Sequence, residues 1–216
     1  MPHTAVPASE LTARLNELRR VMSATHPDWK MVLLDNKIDL YYFTGTMQEG
    51  ALVITPDEAA LFVRHSYECA VRDSRFPDIR PLGSFRGIAS AFPEIPETVY
   101  VAARTMTLQK LTMLQKYLPF APSPIDGILS GLRSVKSEYE LDCMRHAGKI
   151  HAKVLETVAP ALLRPGLSEA RLCAEICTSM LDHGAMCISR YNQPAAEDVL
   201  GFSSSVSYTH LTLPTS

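Results

Sequence analysis

Residues 132–141 read Leu-Arg-Ser-Val-Lys-Ser-Glu-Tyr-Glu-Leu and decide how this 216-residue chain is organised. Ser137 and Glu140 have the spacing of a capping box, in which each side chain accepts a hydrogen bond from the other residue's backbone amide at a helix start. Apolar residues then recur at helical spacing from Leu141 to Val158. The stretch therefore predicts the start of a long helix.

A second helix is predicted shortly after the first. Pro160 and the Arg-Pro-Gly turn at residues 164–166 are expected to end the first helix. Ser168 can cap the second helix, and Gly184 suits its C-terminal end, where a left-handed residue is favoured. The two helices are expected over residues 137–158 and 168–183.

The sequence before residue 118 alternates between helical and strand patterns. Ser9 can cap a first helix whose apolar side chains recur at helical spacing. Pro56 and Asp57 favour a tight turn between two apolar runs, which predicts a β-hairpin. Helices alternating with strands predict an α/β domain with a mixed sheet. The expected elements are a helix with its apolar face at Leu11, Leu15, Leu18 and Met22, strands at 29–34 and 98–102, a hairpin at 50–64, and helices at 66–72 and 106–118.

A proline-rich passage follows at residues 118–124, which read Leu-Pro-Phe-Ala-Pro-Ser-Pro. Proline restricts its own backbone and that of the residue before it. The passage therefore predicts an extended connector or a domain boundary between the α/β region and the helix pair.

Composition argues against several classes of protein. The formal net charge of −2 gives no bulk attraction to nucleic acid. No apolar run approaches the length of a membrane-spanning helix, and the first nine residues lack the basic start and apolar core of a secretion signal. Five cysteines, an odd number at irregular spacing, argue against a disulfide framework and predict reduced thiols in the cytoplasm.

Two regions resemble the creatinase/prolidase/aminopeptidase P family, the pita-bread metallopeptidases. Residues 41–45, Tyr-Tyr-Phe-Thr-Gly, are similar to the family's Tyr-Leu-Thr-Gly segment. Residues 132–141 resemble the family's entry into its catalytic domain, whose usual form is Arg-x-x-Lys-x-x-x-Glu followed by Ile or Leu. The resemblance continues through residues 144–147, 164–169 and 182–185, and together these pieces span residues 9–202.

The resemblance implies a two-domain organisation. An α/β, creatinase-like N-terminal domain with a mixed sheet is expected over residues 9–130. Residues 131–206 are expected to be the N-terminal fragment of the α+β pita-bread catalytic domain, present as its helix pair only. Residues 207–216, which contain no Asp, Glu, Lys or Arg, are expected to be a non-native tail.

The resemblance also implies metal-dependent hydrolysis. The family usually holds two divalent ions with two Asp, one His and two Glu, and Mn²⁺, Co²⁺ or Zn²⁺ suits such ligands. Two ions close together lower the pKa of a bridging water and stabilise charge on the attacked carbonyl. The implied substrates are peptides cleaved next to proline, and the implied assembly is a homodimer.

The matching sequence stops before the family's metal ligands, so no catalytic or metal-binding residue can be transferred. Glu197 and Asp198 precede the ligand region and are interpreted as loop or surface carboxylates, and His210 has no acidic neighbours. The chain is therefore expected to be an inactive fragment, without a cofactor of its own, of an aminopeptidase P or prolidase-type enzyme. The alternatives are a non-catalytic interaction module and a creatinase-type amidinohydrolase, which needs no metal.

One substrate-binding residue is predicted, Arg64. It follows the second hairpin strand, in a neighbourhood that approaches the partner subunit's active site in relatives. The alternative for Arg64 is a solvent-facing or salt-bridged side chain. Tyr41 and Tyr42 are interpreted either as residues that line a cleft or as residues that pack within a strand.

Overall fold

The computed structural model describes residues 5–92, 94–185, 188–190 and 197–199. These residues form two units, which divide between Val135 and Lys136. The predicted domain ranges, 9–130 and 131–206, stay predictions, and the tail at 207–216, with His210, lies outside the described residues.

The first unit has a mixed sheet flanked by helices, which confirms the predicted α/β class. In chain order its elements are α1 (Ala8–Thr25), β1 (Val32–Leu34), α2 (Lys37–Thr44), β2 (Gly50–Ile54), β3 (Ala59–Val63), α3 (Tyr67–Asp73), β4 (Ile79–Pro81), α4 (Arg86–Ala91), β5 (Thr98–Val101), α5 (Leu108–Gln115), β6 (Ala121–Pro124) and α6 (Asp126–Ser134).

The six strands lie in the order β4-β3-β2-β1-β5-β6. Pairing is antiparallel on both sides of β2 and parallel everywhere else, so β2 alone among these strands runs in the opposite direction. The carboxyl ends of the other five strands therefore meet at one edge of the sheet, together with the start of β2. This edge is called the carboxyl edge below.

The core of the first unit is formed on both faces of the sheet. β1 and β2 are buried along their whole length, as expected for central strands covered on both sides. Leu33, Val53 and Phe62 share one core cluster with Ile88 of α4 and Leu114 of α5. The predicted apolar face of α1 is confirmed, because each of its members is at most 7% exposed: Leu11, Leu15, Leu18 and Met22.

The proline-rich passage is an edge strand, and its interpretation as a connector or boundary was wrong. Residues 121–124 form β6 and pair in parallel with β5. The Ala121 amide donates to the Glu97 carbonyl, directly before β5, at 2.7 Å, and the Ile125 amide donates to the Val101 carbonyl at 3.0 Å. Prolines occupy the alternate positions 122 and 124. Since proline has no amide hydrogen to donate, it is tolerated where a strand has no neighbour on its outer side.

Three helices of the first unit, α2, α4 and α6, were missed by the sequence analysis. Asn36 caps α2 by accepting a hydrogen bond from the Asp39 amide at 2.9 Å, and Gly45 ends it with φ of +75°. Tyr41 and Tyr42 therefore lie on a helix, and their placement in a strand was wrong. At eight residues α2 is too short for a clear helical period to appear in the sequence.

The second unit is a helical hairpin followed by a pair of short strands. Its elements are α7 (Glu138–Lys153), a π-helical turn (Val154–Val158), α8 (Ala159–Leu162), α9 (Glu169–Asp182), and the antiparallel strands β7 (Ile188–Arg190) and β8 (Glu197–Val199). The capping box is confirmed by reciprocal hydrogen bonds of 3.2 and 3.0 Å between Ser137 and Glu140. Glu197 and Asp198 lie in a strand and not in a loop.

Pro160 does not end the first helix, contrary to the prediction. The helix widens into the π turn after Lys153, and Pro160 lies at the start of α8. Proline has no backbone N–H to donate. It is tolerated in the first turn of a helical segment, because an N–H there has no carbonyl partner within that segment. The chain leaves the helical conformation only at Leu163, whose ψ is 120°.

We predict that Gly50→Ala destabilises the first unit. A Cβ at Gly50 would lie 2.1 Å from the Phe62 carbonyl oxygen, so paired backbones of β2 and β3 must move apart. The expected cost is about 1–3 kcal/mol, the range for overpacking. Urea unfolding measures this loss of stability. The signal is the fluorescence of Trp29, the sole tryptophan, which is 4% exposed.

Gly83→Ala is the matched control for that experiment. Nothing lies within 4 Å of a Cβ at Gly83, so the variant should be neutral or more stable by up to about 1 kcal/mol. Equal stability of the two variants would contradict the close approach of β2 and β3.

We also predict that amides in the second unit exchange with solvent faster than those in the central strands. Every side chain from Asp142 to Lys149 is exposed, and Met144 and Leu155 are more than half exposed. Ile150 is the buried side chain of α7, and a helix with so little buried surface gains little tertiary stabilisation. Hydrogen exchange measured by mass spectrometry should show lower protection in α7 than in β1 and β2, and equal protection would refute the prediction.

Candidate functional site

A cleft of about 520 Å³ opens at the carboxyl edge of the first unit. Segments that follow β1, β3, β4 and β5 contribute to it, together with the start of β2. Its lining combines charged, polar and apolar side chains: Asp35, Asn36, Lys37, Leu40, Glu49, Arg64, Leu82, Phe85, Thr107, Gln109, Lys110 and Met113.

The topology of the sheet explains why a cleft forms here. After β1 the chain turns through α2 to β2 on one side, and after β5 it turns through α5 to β6 on the other side. Connections that diverge from neighbouring parallel strands leave a crevice beyond their carboxyl ends, which is where open α/β sheets bind ligands. The volume is typical of small-molecule sites.

Asp35 is the most buried charged side chain in the lining of the cleft. Only 5% of it is exposed, and its Oδ2 accepts a hydrogen bond from Lys110 Nζ at 2.8 Å. Its Oδ1 atom is buried and has no hydrogen-bond partner among the described residues. Leaving a buried polar atom unsatisfied costs about 1–3 kcal/mol, and more for a charged group. The carboxylate therefore has an unused capacity to accept a hydrogen bond.

Arg64 lies at the opposite side of the cleft, beside Glu49. Its backbone amide donates to the Glu49 carbonyl at 2.7 Å, which extends the β2–β3 ladder. The guanidinium approaches the Glu49 carboxylate only to 3.7 Å, and both side chains are about half exposed. Exposed pairs at such distances contribute about 0–1 kcal/mol. The guanidinium is therefore available to exchange Glu49 for another carboxylate.

The residues next to Arg64 place an imidazole and a strained turn at the same edge. His65 Nε2 lies 3.9 Å from the other Glu49 carboxylate oxygen. Ser66 has φ of +59°, a left-handed conformation that is unfavourable for a residue with a side chain. The turn lets the chain leave β3 and enter α3 directly after Arg64.

The other side of the cleft depends on how α2 begins. Asp39, in its first turn, is fully buried and binds both the Arg133 guanidinium and the Asn36 side-chain amide. Burial lowers the pKa of Arg133, but an arginine keeps its charge at any physiological pH. The buried pair fixes the start of α2, which in turn fixes Asp35 and Asn36 at the end of β1.

Only one of the three residues that the sequence analysis considered for substrate binding or for lining a cleft lies in this cleft. Arg64 lines it, next to Glu49, whereas Tyr41 and Tyr42 are not among its lining residues. Tyr42 instead donates to the Leu132 carbonyl at 3.2 Å. The sequence analysis missed Asp35 and Lys110, although a carboxylate directly after a buried strand was a usable signal.

The described residues show no metal centre. No group of three or more His, Cys, Asp or Glu among them is arranged to hold a metal ion. In the same part of the chain, no helix combines the length and the apolar character that a membrane crossing requires.

Comparisons with known proteins agree with this architecture. Residues 14–135 match the Creatinase/Prolidase N-terminal domain family. The prolidase from Pyrococcus furiosus superposes with a TM-score of 0.69 at 23% identity, over 80% of this chain and 54% of that one. For the Xaa-Pro dipeptidase from Bacillus anthracis the TM-score is 0.73 at 20% identity, over 83% and 51%.

A third structure matches over nearly its whole length. The Xaa-Pro aminopeptidase from Streptococcus pyogenes superposes with a TM-score of 0.51 at 17% identity, over 58% of this chain and 99% of that one. The chain spans about half the length of the first two structures. No curated protein sequence gave a significant match.

The family match covers more than half of the sequence, and the mixed sheet superposes on solved members of the prolidase group. The chain therefore belongs to the creatinase/prolidase family, of which it carries the N-terminal domain.

Proposed function

We propose that this chain is the N-terminal part of a metal-dependent peptidase that cleaves bonds next to proline, of the aminopeptidase P or prolidase type. The observation that carries the proposal is the family match over residues 14–135. The shared fold with structures described as a prolidase and an Xaa-Pro dipeptidase supports it, as does coverage of about half of each.

The metal of such an enzyme has no place among the described residues of this chain. They contain no cluster of His, Cys, Asp or Glu that fits two divalent ions. In the proposal, Mn²⁺, Co²⁺ or Zn²⁺ is held by residues of the longer protein, and the 216-residue chain is inactive by itself.

Within this proposal, Arg64 contacts the peptide substrate. Its guanidinium is half exposed and lies 3.7 Å from Glu49, so a substrate carboxylate can compete for it at small cost. We propose that the longer protein is a homodimer and that Arg64 reaches the partner's active site. The distance and exposure support the availability of Arg64, and the dimer follows from the family resemblance.

A cytoplasmic location is part of the same proposal. The structure describes four cysteines, and no disulfide forms among them: Cys69, Cys143, Cys173 and Cys177. Reduced thiols are typical of the cytoplasm.

We predict that a longer protein containing this sequence and a complete metal-ligand set hydrolyses Gly-Pro or Xaa-Pro peptides when Mn²⁺ is added. The 216-residue chain should not. Peptides with Ala in place of Pro are the matched substrate control, and removal of the metal by a chelator should abolish cleavage. Release of the free amino acid, measured by chromatography, reports the reaction.

Inactivity of a ligand-complete protein on all such peptides would contradict the proposal. Hydrolysis of creatine, without added metal, would instead support the amidinohydrolase alternative. Absence of both activities would support the interaction module.

A further inference from the structure

Both outer strands of the six-stranded sheet, β4 and β6, carry prolines that face away from the neighbouring strand. The edge of a sheet normally exposes a row of N–H and C=O groups to which another chain can add a strand. We propose that the prolines close both edges to strand addition, so that a second copy of this chain, or another protein, binds the first unit through other surfaces. This closure follows from the strand register and does not depend on the proposed function.

The outer edge of β6 consists of acceptors only. The amides of Ala121 and Ile125 both donate toward β5, at 2.7 and 3.0 Å. Successive residues of a strand direct their backbone groups to opposite sides, so positions 122 and 124 face outward. Pro122 and Pro124 occupy these positions, and both are exposed. Because proline has no N–H, residues 121–124 present outward carbonyls without a single outward donor.

The outer edge of β4 is closed by a proline and a tyrosine. The Asp78 carbonyl and the Leu82 amide both bond to β3. By the same alternation, Ile79 and Pro81 face outward. The Ile79 carbonyl already accepts a hydrogen bond from the Tyr67 hydroxyl at 3.3 Å. Since Pro81 has no N–H, the Ile79 amide is the one outward donor that residues 79–81 present.

A strand added to either edge would lose hydrogen bonds that it makes with water. Along β6, carbonyls of the incoming strand would face proline rings where an N–H donor is needed. Each polar group that is buried without a partner costs about 1–3 kcal/mol. The pyrrolidine rings also occupy the space that a neighbouring strand requires. Both effects oppose the hydrogen bonding that makes an open edge adhesive.

The closed edges restrict how two copies of the chain can meet. A dimer that continues a sheet from one subunit to the next needs alternating outward N–H and C=O groups on the same edge strand. Neither β4 nor β6 presents such a row. In the homodimer proposed above, the contact would therefore use helices, loops or the remaining part of the longer protein.

The test restores the missing donors of β6 in the 216-residue chain by combining Pro122→Ala with Pro124→Ala. Sedimentation velocity at increasing concentration reports association. At the highest concentration, we expect the weight-average mass of this double variant to exceed that of the parent at least about twofold. The matched control combines Pro27→Ala with Pro119→Ala, because both prolines are exposed and lie outside the strands. The control should sediment like the parent.

A second measurement shows whether association uses the altered edge. In the associated double variant, the new amides at positions 122 and 124 should exchange with solvent more slowly than in dilute samples, as followed by NMR. Trp29 fluorescence in urea checks that each variant is folded, since losing a proline costs about 0.4–1 kcal/mol through the unfolded chain. Pro81→Ala restores an outward donor on β4 and tests the other edge if the β6 variant does not fold.

Equal association of the parent, the double variant and its control would overturn the inference, as would association that leaves the new amides unprotected. The parent offers a further check. Protection of the outward Ile79 amide as strong as that of Arg80, which faces β3, would show that the β4 edge already has a partner and would contradict the closure. None of these results involves peptide cleavage, so each leaves the proposed function untouched.

Discussion

The ion pair between Asp39 and Arg133 is the interaction on which the first unit depends. Asp39 is fully buried, and its partner comes from 94 residues further along the chain. A buried carboxylate is costly unless it is paired and hydrogen-bonded, and both conditions are met here by Arg133 and Asn36. Removing one partner of a buried ion pair is costly, so the pair holds the beginning and the end of the α/β unit together.

Further polar contacts repeat this link between the ends of the unit. Arg14 of α1 donates to the Tyr42 carbonyl at 2.7 Å, and its guanidinium lies 4.3 Å from the centre of the Tyr42 ring. The Tyr42 hydroxyl donates to Leu132 in α6. Helix α2 is thereby fixed between α1 and α6, and its first turn determines where β1 ends and where Asp35 enters the cleft. The site at the carboxyl edge is thus a consequence of how α2 is anchored.

The parts of the fold that could be predicted are those with a local signal. The capping box at Ser137, the apolar face of α1 and the hairpin around Pro56 all depend on neighbours within a few residues. Helix α2 was missed because eight residues are too few for a clear helical period, and the contact of Asp39 with Arg133 forms only in the folded chain. Strand β6 was hidden because a proline-rich sequence becomes a strand only at the edge of a sheet. Arg64 was chosen through the family resemblance, and its contact with substrate stays a prediction. The pairing of Asp35 with Lys110 joins residues 75 positions apart and leaves no local pattern.

A double-mutant cycle on Asp39 and Arg133 tests this account most directly. Urea unfolding of the full chain, followed by Trp29 fluorescence, would compare the parent, Asp39→Asn, Arg133→Met and the double variant. We predict a cost of about 3–5 kcal/mol for Asp39→Asn, which removes the buried charge that Arg133 binds, and a coupling energy of about 2–3 kcal/mol between the two sites. Additive effects, with a coupling energy near zero, would show that the two residues stabilise the unit independently and would contradict the central role given to the pair.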